Sequence, residues 1–291
     1  MSRILPIMTV VLTIIVIWYA AAVRLNTAWE VDQAARAGSE APTGAALWVA
    51  VWNQDRPVLP SPHQVLGELY RSTIAMPVSS KRSLIYHGWI TISATLVGFA
   101  IGTGLGVLLA VGIVHNRAMD ASVMPWAIAS QTIPILAIAP MIIVVMNALG
   151  VQGLIPKAII SAFLSFFPVL VGMVKGLRSP DSAQFDLMRT YNASAFKVLV
   201  ALRLPSSVPY LFASLKVGIA ASLVGAIVGE MPTGAVAGLG ARLLSGSYYG
   251  QTVQIWAALF AAAIVAAGLV ALIGFAQART LRRMGYREVA R

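Results

Sequence analysis

Six apolar stretches separated by polar segments set the pattern of this chain. They run from Ile4 to Val23, Trp89 to Val114, Ser122 to Leu149, Leu154 to Val174, Val208 to Gly229 and Val253 to Ala276. Each approaches or exceeds the ~20 residues that a helix needs to cross a ~30 Å hydrocarbon layer. The pattern predicts an all-α integral membrane protein with six transmembrane helices. The third stretch carries Pro125, Pro134 and Pro140, which predicts a kinked or broken crossing. Residues 1–23 read as an uncleaved first helix, because their apolar run exceeds the roughly 7–15 residues of a secretory signal.

The polar segments organise the rest. Segment 24–86 is too polar to span. Its first half, with AARAGSEAPTGAA, reads as flexible chain. In its second half Pro60 and Pro62 fix an extended approach, and Ser61 or Pro62 starts a short helix through Tyr70, expected on the outer membrane surface. Residues 87–280 form a five-helix core that contains a polar loop at 175–206, and 281–291 form a basic tail. Within that loop, FDLMRTYNASAFKVLVALRLP is a charged island between apolar neighbours. Asp186, Arg189, Lys197 and Arg203 alternate with Phe185, Met188, Ala195 and Leu199 near helical spacing, so an amphipathic helix is expected with one apolar face. Such a face outside the membrane implies a partner.

Charge orients the bundle. Arg3, Arg117, the 175–206 loop and the tail carry Arg3, Arg117, Lys175, Arg178, Arg189, Lys197, Arg203, Arg279, Arg282, Arg283, Arg287 and Arg291 against Asp120, Asp181, Asp186 and Glu288. In segment 24–88 basic and acidic residues nearly cancel. The positive-inside rule then places both termini and the loop in the cytoplasm. The net charge of +11 is accounted for by topology, and nucleic acid need not be invoked. Charged residues make up only 11% of the chain, against roughly 25% in soluble domains.

Little in the chain points to covalent chemistry. It has no cysteine, so disulfides and thiolate metal sites are excluded. His63, His87 and His115 are isolated in sequence, which argues against a metal. Gly98, Gly102 and Gly106 superficially suggest a dinucleotide fingerprint, but they recur every four residues inside a span and predict close helix packing. No G-x-x-x-x-G-K-[ST] occurs, so any ATP and Mg belong to a separate ATPase chain. Candidates for a translocation path are Ser130, Gln131 and Thr132 in the kinked third stretch and Ser222 in the fifth, all neutral hydrogen-bonding groups. Lys216 and Glu230 either line that path or satisfy themselves with neighbours and the interface. The segment from Pro232 to Gly250, with Arg242, Tyr248 and Tyr249, reads as an external loop with a short surface or re-entrant helix.

The order of motifs resembles binding-protein-dependent ABC transporter permeases, whose cytoplasmic loop reads E-A-A-x-x-x-G and, about nine residues on, I-x-L-P. Asp186 stands at the acidic position, Asn192 at the glycine position, and Leu202, Leu204 and Pro205 at the closing motif. Pro209, Phe212, Leu215 and Lys216 resemble the start of the family's next span. Leu59–Pro62, His87, Thr91–Gly102, Asp120, Pro125 and Gly238-Leu239-Gly240 follow in the order of its nitrate, sulfonate and taurine branch. The resemblance covers residues 58–280. Leu187 and Met188 replace the two alanines, and Asn192 replaces glycine. Asparagine tolerates a left-handed backbone, so the turn is expected to survive.

The resemblance implies a six-helix permease with a cytoplasmic coupling helix in the bacterial inner membrane. It implies a non-catalytic translocation subunit that takes a small solute from a periplasmic binding protein into the cytoplasm by alternating access. The solute would be sulfonate-, nitrate- or taurine-like, or a pyrimidine or thiamine-precursor heterocycle. The expected partners are cytoplasmic ABC ATPase subunits, a second permease copy or relative, the binding protein and lipid. Asp186, Met188, Arg189, Tyr191, Asn192, Lys197 and Pro205 would dock the ATPase. The competing class is an ion-coupled secondary transporter or channel. The absence of Asp from the spans, and the edge position of Glu230, count against it.

Overall fold

The computed structural model describes residues 4–231 and 237–285. Arg3, the residues from Pro232 to Val236, and the tail residues Arg287, Glu288 and Arg291 lie outside the described residues. Twelve α-helices account for most of the rest: α1 Ile4–Ala37, α2 Gly44–Trp52, α3 Pro62–Tyr70, α4 Leu84–His115, α5 Arg117–Ser130, α6 Ile135–Ala148, α7 Leu154–Leu177, α8 Ser182–Thr190, α9 Ala195–Val198, α10 Leu204–Gly229, α11 Leu239–Tyr248 and α12 Thr252–Arg283. Wider π-helical turns at Arg71–Ala75 and Leu199–Arg203 extend α3 and join α9 to α10. The chain divides into two compact units, Met1–Gly88 with Ala241–Ala262, and Trp89–Gly240 with Ala263–Arg291.

In the second unit α7 is the central helix. Its buried face carries Phe166, Val169, Leu170, Met173, Val174 and Leu177, which pack with Ala110 and Ile113 of α4 and Ala127 of α5. Small residues let the backbones approach. A Cβ on Gly98 or Gly102 would collide with Ser161 or Ser165, and one on Gly106 would stand 2.8 Å from the Phe166 carbonyl oxygen. The four-residue glycine repeat is therefore a packing seam, as its spacing predicts. Gly172 and Gly176 of α7 also meet Ser214 and Ser207 of α10, and Gly225 of α10 meets Ser161.

These contacts also fix direction. Along the α4–α7 seam 98 meets 161 and 106 meets 166, so the two helices run parallel. Along α7–α10, 172 meets 214 and 161 meets 225, so they run antiparallel. Five helices or continuous helical stretches, α1, α4, α7, Ala195–Gly229 and α12, are long and apolar enough to cross a membrane. Parallel α4 and α7 require the chain between them to return across the layer. The α5–α6 pair, bent by 98°, must make that return, giving six crossings. The break is local to Pro134. This residue has no N–H and caps α6 with extended ψ, whereas Pro125 and Pro140 are absorbed within helices.

The first unit departs from the flexible chain expected for the first half of segment 24–86. Helix α1 continues to Ala37, helped by an Asp32–Arg36 pair at i,i+4, and α2 follows after a turn with Gly38 and Gly44 at positive φ. The glycines and prolines correctly mark the turn; the alanine-rich run before them is helical, in line with its propensity. Helix α3 begins at Pro62 after Ser61, whose N–H is accepted by Gln64 Oε1 at 3.0 Å. Asn26 of α1 is fully buried and pins the approach to α3. Its Nδ2 donates to the Leu59 carbonyl, and its Oδ1 accepts from Val58 and Leu59 N–H.

Candidate functional site

The polar loop between α7 and α10 is built as two helices meeting at a turn. Asp181 N–H donates to Gln184 Oε1 at 3.0 Å as α8 begins. At the other end of α8, Asn192 adopts φ 49°, the only positive φ of a described non-glycine residue. Ala193 N–H reaches the Met188 carbonyl at 3.0 Å and Asn192 N–H the Arg189 carbonyl at 2.8 Å, which closes a Schellman turn. The asparagine at the family's glycine position thus does the glycine's backbone work. Ser194 Oγ then accepts from Lys197 N–H to start α9, which continues through the π-turn into α10.

This turn corrects the reading of 185–205 as one amphipathic helix. Phe185 and Met188 lie on α8, whereas Ala195 belongs to α9 and Leu199 to the π-turn. Phe185 is half-buried beneath the Arg203 guanidinium, 4.8 Å from its ring centre. Arg203 also donates to the Leu177 carbonyl at 3.0 Å, tying the loop to the end of α7. Arg178, at that same end, pairs with Asp120 of α5 at 2.8 Å. The exposed large apolar side chains are instead Leu187, Tyr191 at 73% and Phe196 at 74%, with Val200 in the π-turn. Phe196 escaped the sequence reading because its outward direction depends on the Asn192 turn. Asp186 and Arg189 form an exposed pair at 3.1 Å, Lys197 is exposed, and Pro205 is the second residue of α10.

Residues named for the path fall in separate places. Gln131 and Thr132 are exposed at the α5–α6 break, with Ser130 buried beside them and 3.5 Å from Gln131 Nε2. Ser222 is fully buried among α4, α7 and α10; its Oγ donates to the Thr95 carbonyl at 2.9 Å and lies 2.7 Å from Ser161 Oγ. Lys216 is half-buried, its Nζ 3.8 Å from where a Cβ on Gly274 of α12 would stand. Among the described residues it has no ion pair.

Glu230, one residue beyond α10, has 0% of its surface exposed. Thr91 Oγ1 of α4 contacts both carboxylate oxygens, at 3.0 and 2.9 Å, and Gly240 N–H donates to Oε2 at 3.0 Å. Leu239 N–H reaches Thr91 Oγ1 at 2.9 Å. Lys157 of α7 stands 3.8 Å from Oε1 and donates to the Ala237 carbonyl at 3.0 Å. The carboxylate and the threonine thereby satisfy N–H groups in the first turn of α11, where negative charge is favoured. Gly238 has φ 128°, and any side chain there would collide with the Glu230 carboxylate; a Cβ on Gly240 would press on Glu230 Cβ at 2.8 Å. The G-L-G sequence is thus a backbone wrapped around a buried carboxyl group. Sequence reading found Glu230 and the glycines separately, and missed Thr91 and Lys157 as their partners.

The family of binding-protein-dependent transport system inner membrane components matches residues 102–286. A riboflavin transport system permease protein of Chloroflexus aurantiacus is 30% identical over 225 residues, 77% of this chain and 80% of its own length. A formylaminopyrimidine transport permease of Halalkalibacterium halodurans is 28% identical over 230 residues, 78% of this chain and 84% of its own. A probable ABC transporter permease of Haemophilus influenzae is 28% identical over 202 residues, 69% and 77% of the two chains. The match spans the broken crossing, the α8–α9 loop and the Glu230 wrap. The chain belongs to the binding-protein-dependent transport system inner membrane components, as an ABC importer permease of the sulfonate and nitrate branch.

Proposed function

We propose that this permease is driven by ATP hydrolysed on separate ATPase subunits, which dock on the α8–α9 loop. The exposed Leu187, Tyr191 and Phe196 carry this reading. They form apolar anchors on a polar loop that is helically continuous, through Leu199–Arg203, with the membrane helix α10. Asp186, Arg189 and Lys197 form the charged rim, with Met188 half-buried beneath it and Asn192 setting the angle between α8 and α9. Pro205 lies where the motion enters α10. Helix-in-groove docking of this kind draws its energy from the apolar anchors. Tilting the loop would tilt α10 with α7, because their small residues interdigitate.

In this reading the loop and both termini face the cytoplasm, in keeping with the basic last turn of α12. A second copy or a related permease completes the path, and a soluble binding protein delivers the solute. Gln131 and Thr132 at the broken crossing are the path groups best supported, being polar, exposed and set at a helix break. Lys216 remains a candidate. Ser222 and Glu230 take structural roles, since both are sealed among helices. The solute is a small nitrogen heterocycle, a reading supported by the neutral path groups and by relatives named for riboflavin and formylaminopyrimidine.

Vesicles holding the permease with its ATPase and binding protein test this. Uptake of a labelled flavin or aminopyrimidine should require ATP and the binding protein, and Gln131→Ala should lower it with the ATPase still bound. Uptake driven by an ion gradient without the ATPase would overturn the ATP-driven reading. Uptake of nitrate or taurine alone would overturn the heterocycle.

A further inference from the structure

Helix α2, GAALWVAVW, has no polar side chain on any face. An all-apolar helix is stable only when buried in protein or in lipid. Only Val51 is buried, whereas Trp48 and Val49 are more than half exposed. Its neighbours fix its depth. Trp52 Nε1 donates to the Tyr19 carbonyl at 3.4 Å, and the two rings meet edge-on at 5.3 Å. Trp48 and Trp52 line one cleft with Val16, Tyr19, Ala20 and Val23 of α1.

Along α1, Tyr19 sits about 22 Å from Ile4 and Arg24 about 30 Å from it, by helical rise. The run from Ile4 to Val23 therefore just fills the ~30 Å hydrocarbon layer, and Arg24 marks its far edge. The turn at 38–43 folds the chain back, so that Trp48 and Trp52 stand beside residues that precede Arg24. The cleft wall formed by Val16, Ala20 and Val23 continues the lipid-facing surface of the first crossing. A polar rim borders it: Tyr19 Oη and His63 Nδ1 are 3.2 Å apart, and His63 Nε2 lies 3.4 Å from Asn53 Oδ1. Apolar walls and aromatic rings with one polar edge match an amphiphile at the membrane interface.

We propose that α2 is immersed in the leaflet at the Arg24 end of α1, with a phospholipid acyl chain filling the Trp48–Trp52 cleft and its headgroup at the His63–Asn53 rim. The segment between the first two crossings thus holds the membrane through α2, with His63 at the start of α3 at the headgroup level.

The cysteine-free chain allows a direct test. Single spin labels at Val49→Cys, Leu12→Cys and Glu40→Cys are compared in the full permease reconstituted in phosphatidylethanolamine–phosphatidylglycerol vesicles. Oxygen concentrates in lipid and a nickel chelate stays in water, so their relative collision rates report immersion. The ratio of oxygen to nickel collisions at Val49→Cys should match that at Leu12→Cys and exceed that at Glu40→Cys. A ratio equal to that at Glu40→Cys would put α2 in water; protection from both reagents would put protein over it. Either overturns the proposal. Independently of the labels, vesicles with brominated acyl chains should quench more tryptophan emission from the unmodified chain than from the W48F/W52F double variant. Equal quenched emission would also overturn it.

Discussion

At its first turn α10 emerges from a loop whose apolar side chains face outward; beyond its last turn the chain closes over a carboxylate with no exposed surface. The loop holds its shape through its own backbone at the Asn192 turn, and Arg203 ties it to the end of α7. The closed end is held by side chains from three helices, Thr91 of α4, Lys157 of α7 and Glu230 after α10. The difference separates two uses of polar residues. Exposed charges cost little to keep and little to lose, so they suit a surface that binds and releases a partner. Buried charges are expensive to separate, so they suit a joint that keeps helices in register. The loop should thus be sensitive in function and tolerant in stability, and the closed end the reverse.

The largest expected effect is at the closed end. Glu230→Ala leaves Lys157 without its counter-charge and α11 without its N-terminal partner, and losses from a broken buried pair run to about 3–5 kcal/mol. Thermal unfolding of the detergent-purified permease should show a clear fall in midpoint. A wild-type midpoint would mean that Glu230 is no joint, and would return it to the path.

Next comes the loop. Tyr191→Asp with Phe196→Asp should leave that midpoint unchanged while weakening ATPase binding. Loss of one central anchor is worth about 2 kcal/mol, or about 30-fold in affinity. Co-purification that survives the double variant would leave the loop without a docking role. Smaller again is Asn192→Ala, which places a side chain without local hydrogen bonding in a left-handed conformation at a cost of about 1 kcal/mol. Asn192→Gly should restore both helicity of the loop and coupling, and failure of glycine to rescue would show that the asparagine side chain itself contacts the ATPase.

The smallest effect belongs to Asp186→Asn. Its pair with Arg189 is exposed on both sides, so stability should shift by no more than about 0.5 kcal/mol. A larger shift in melting would blur the contrast between the two ends of α10.

Hydropathy made the crossings legible, because lipid demands long uninterrupted apolar runs and the sequence meets that demand position by position. A bend in the third stretch was legible from its three prolines and the Gly98–Gly102–Gly106 seam from helical spacing; that the break falls at Pro134, with Pro125 and Pro140 inside helices, was not. The single-helix reading of 185–205 failed since near-helical spacing of apolar residues runs on across the Asn192 turn. The helices on either side of the 38–43 turn were hidden because the Gly and Pro residues that mark that turn drew the alanine-rich run before it, a good helix former, into the same loop reading.

The sequence by itself determined an all-helical membrane chain, its apolar crossings, the polar loop between two of them and the residues able to bend or pack helices. Only the tertiary structure decided which polar groups meet. Thr91, Lys157 and Glu230 are separated by more than 60 residues at each step, and nothing local to any one of them specifies the others. They come together because small residues on α4, α7 and α10 let three backbones approach, and a buried carboxylate is tolerable only where such an approach supplies its donors. The same holds for α2, whose composition requires burial but whose depth is set by the Tyr19 contact. Local sequence sets what each segment must avoid, and packing sets where it can avoid it.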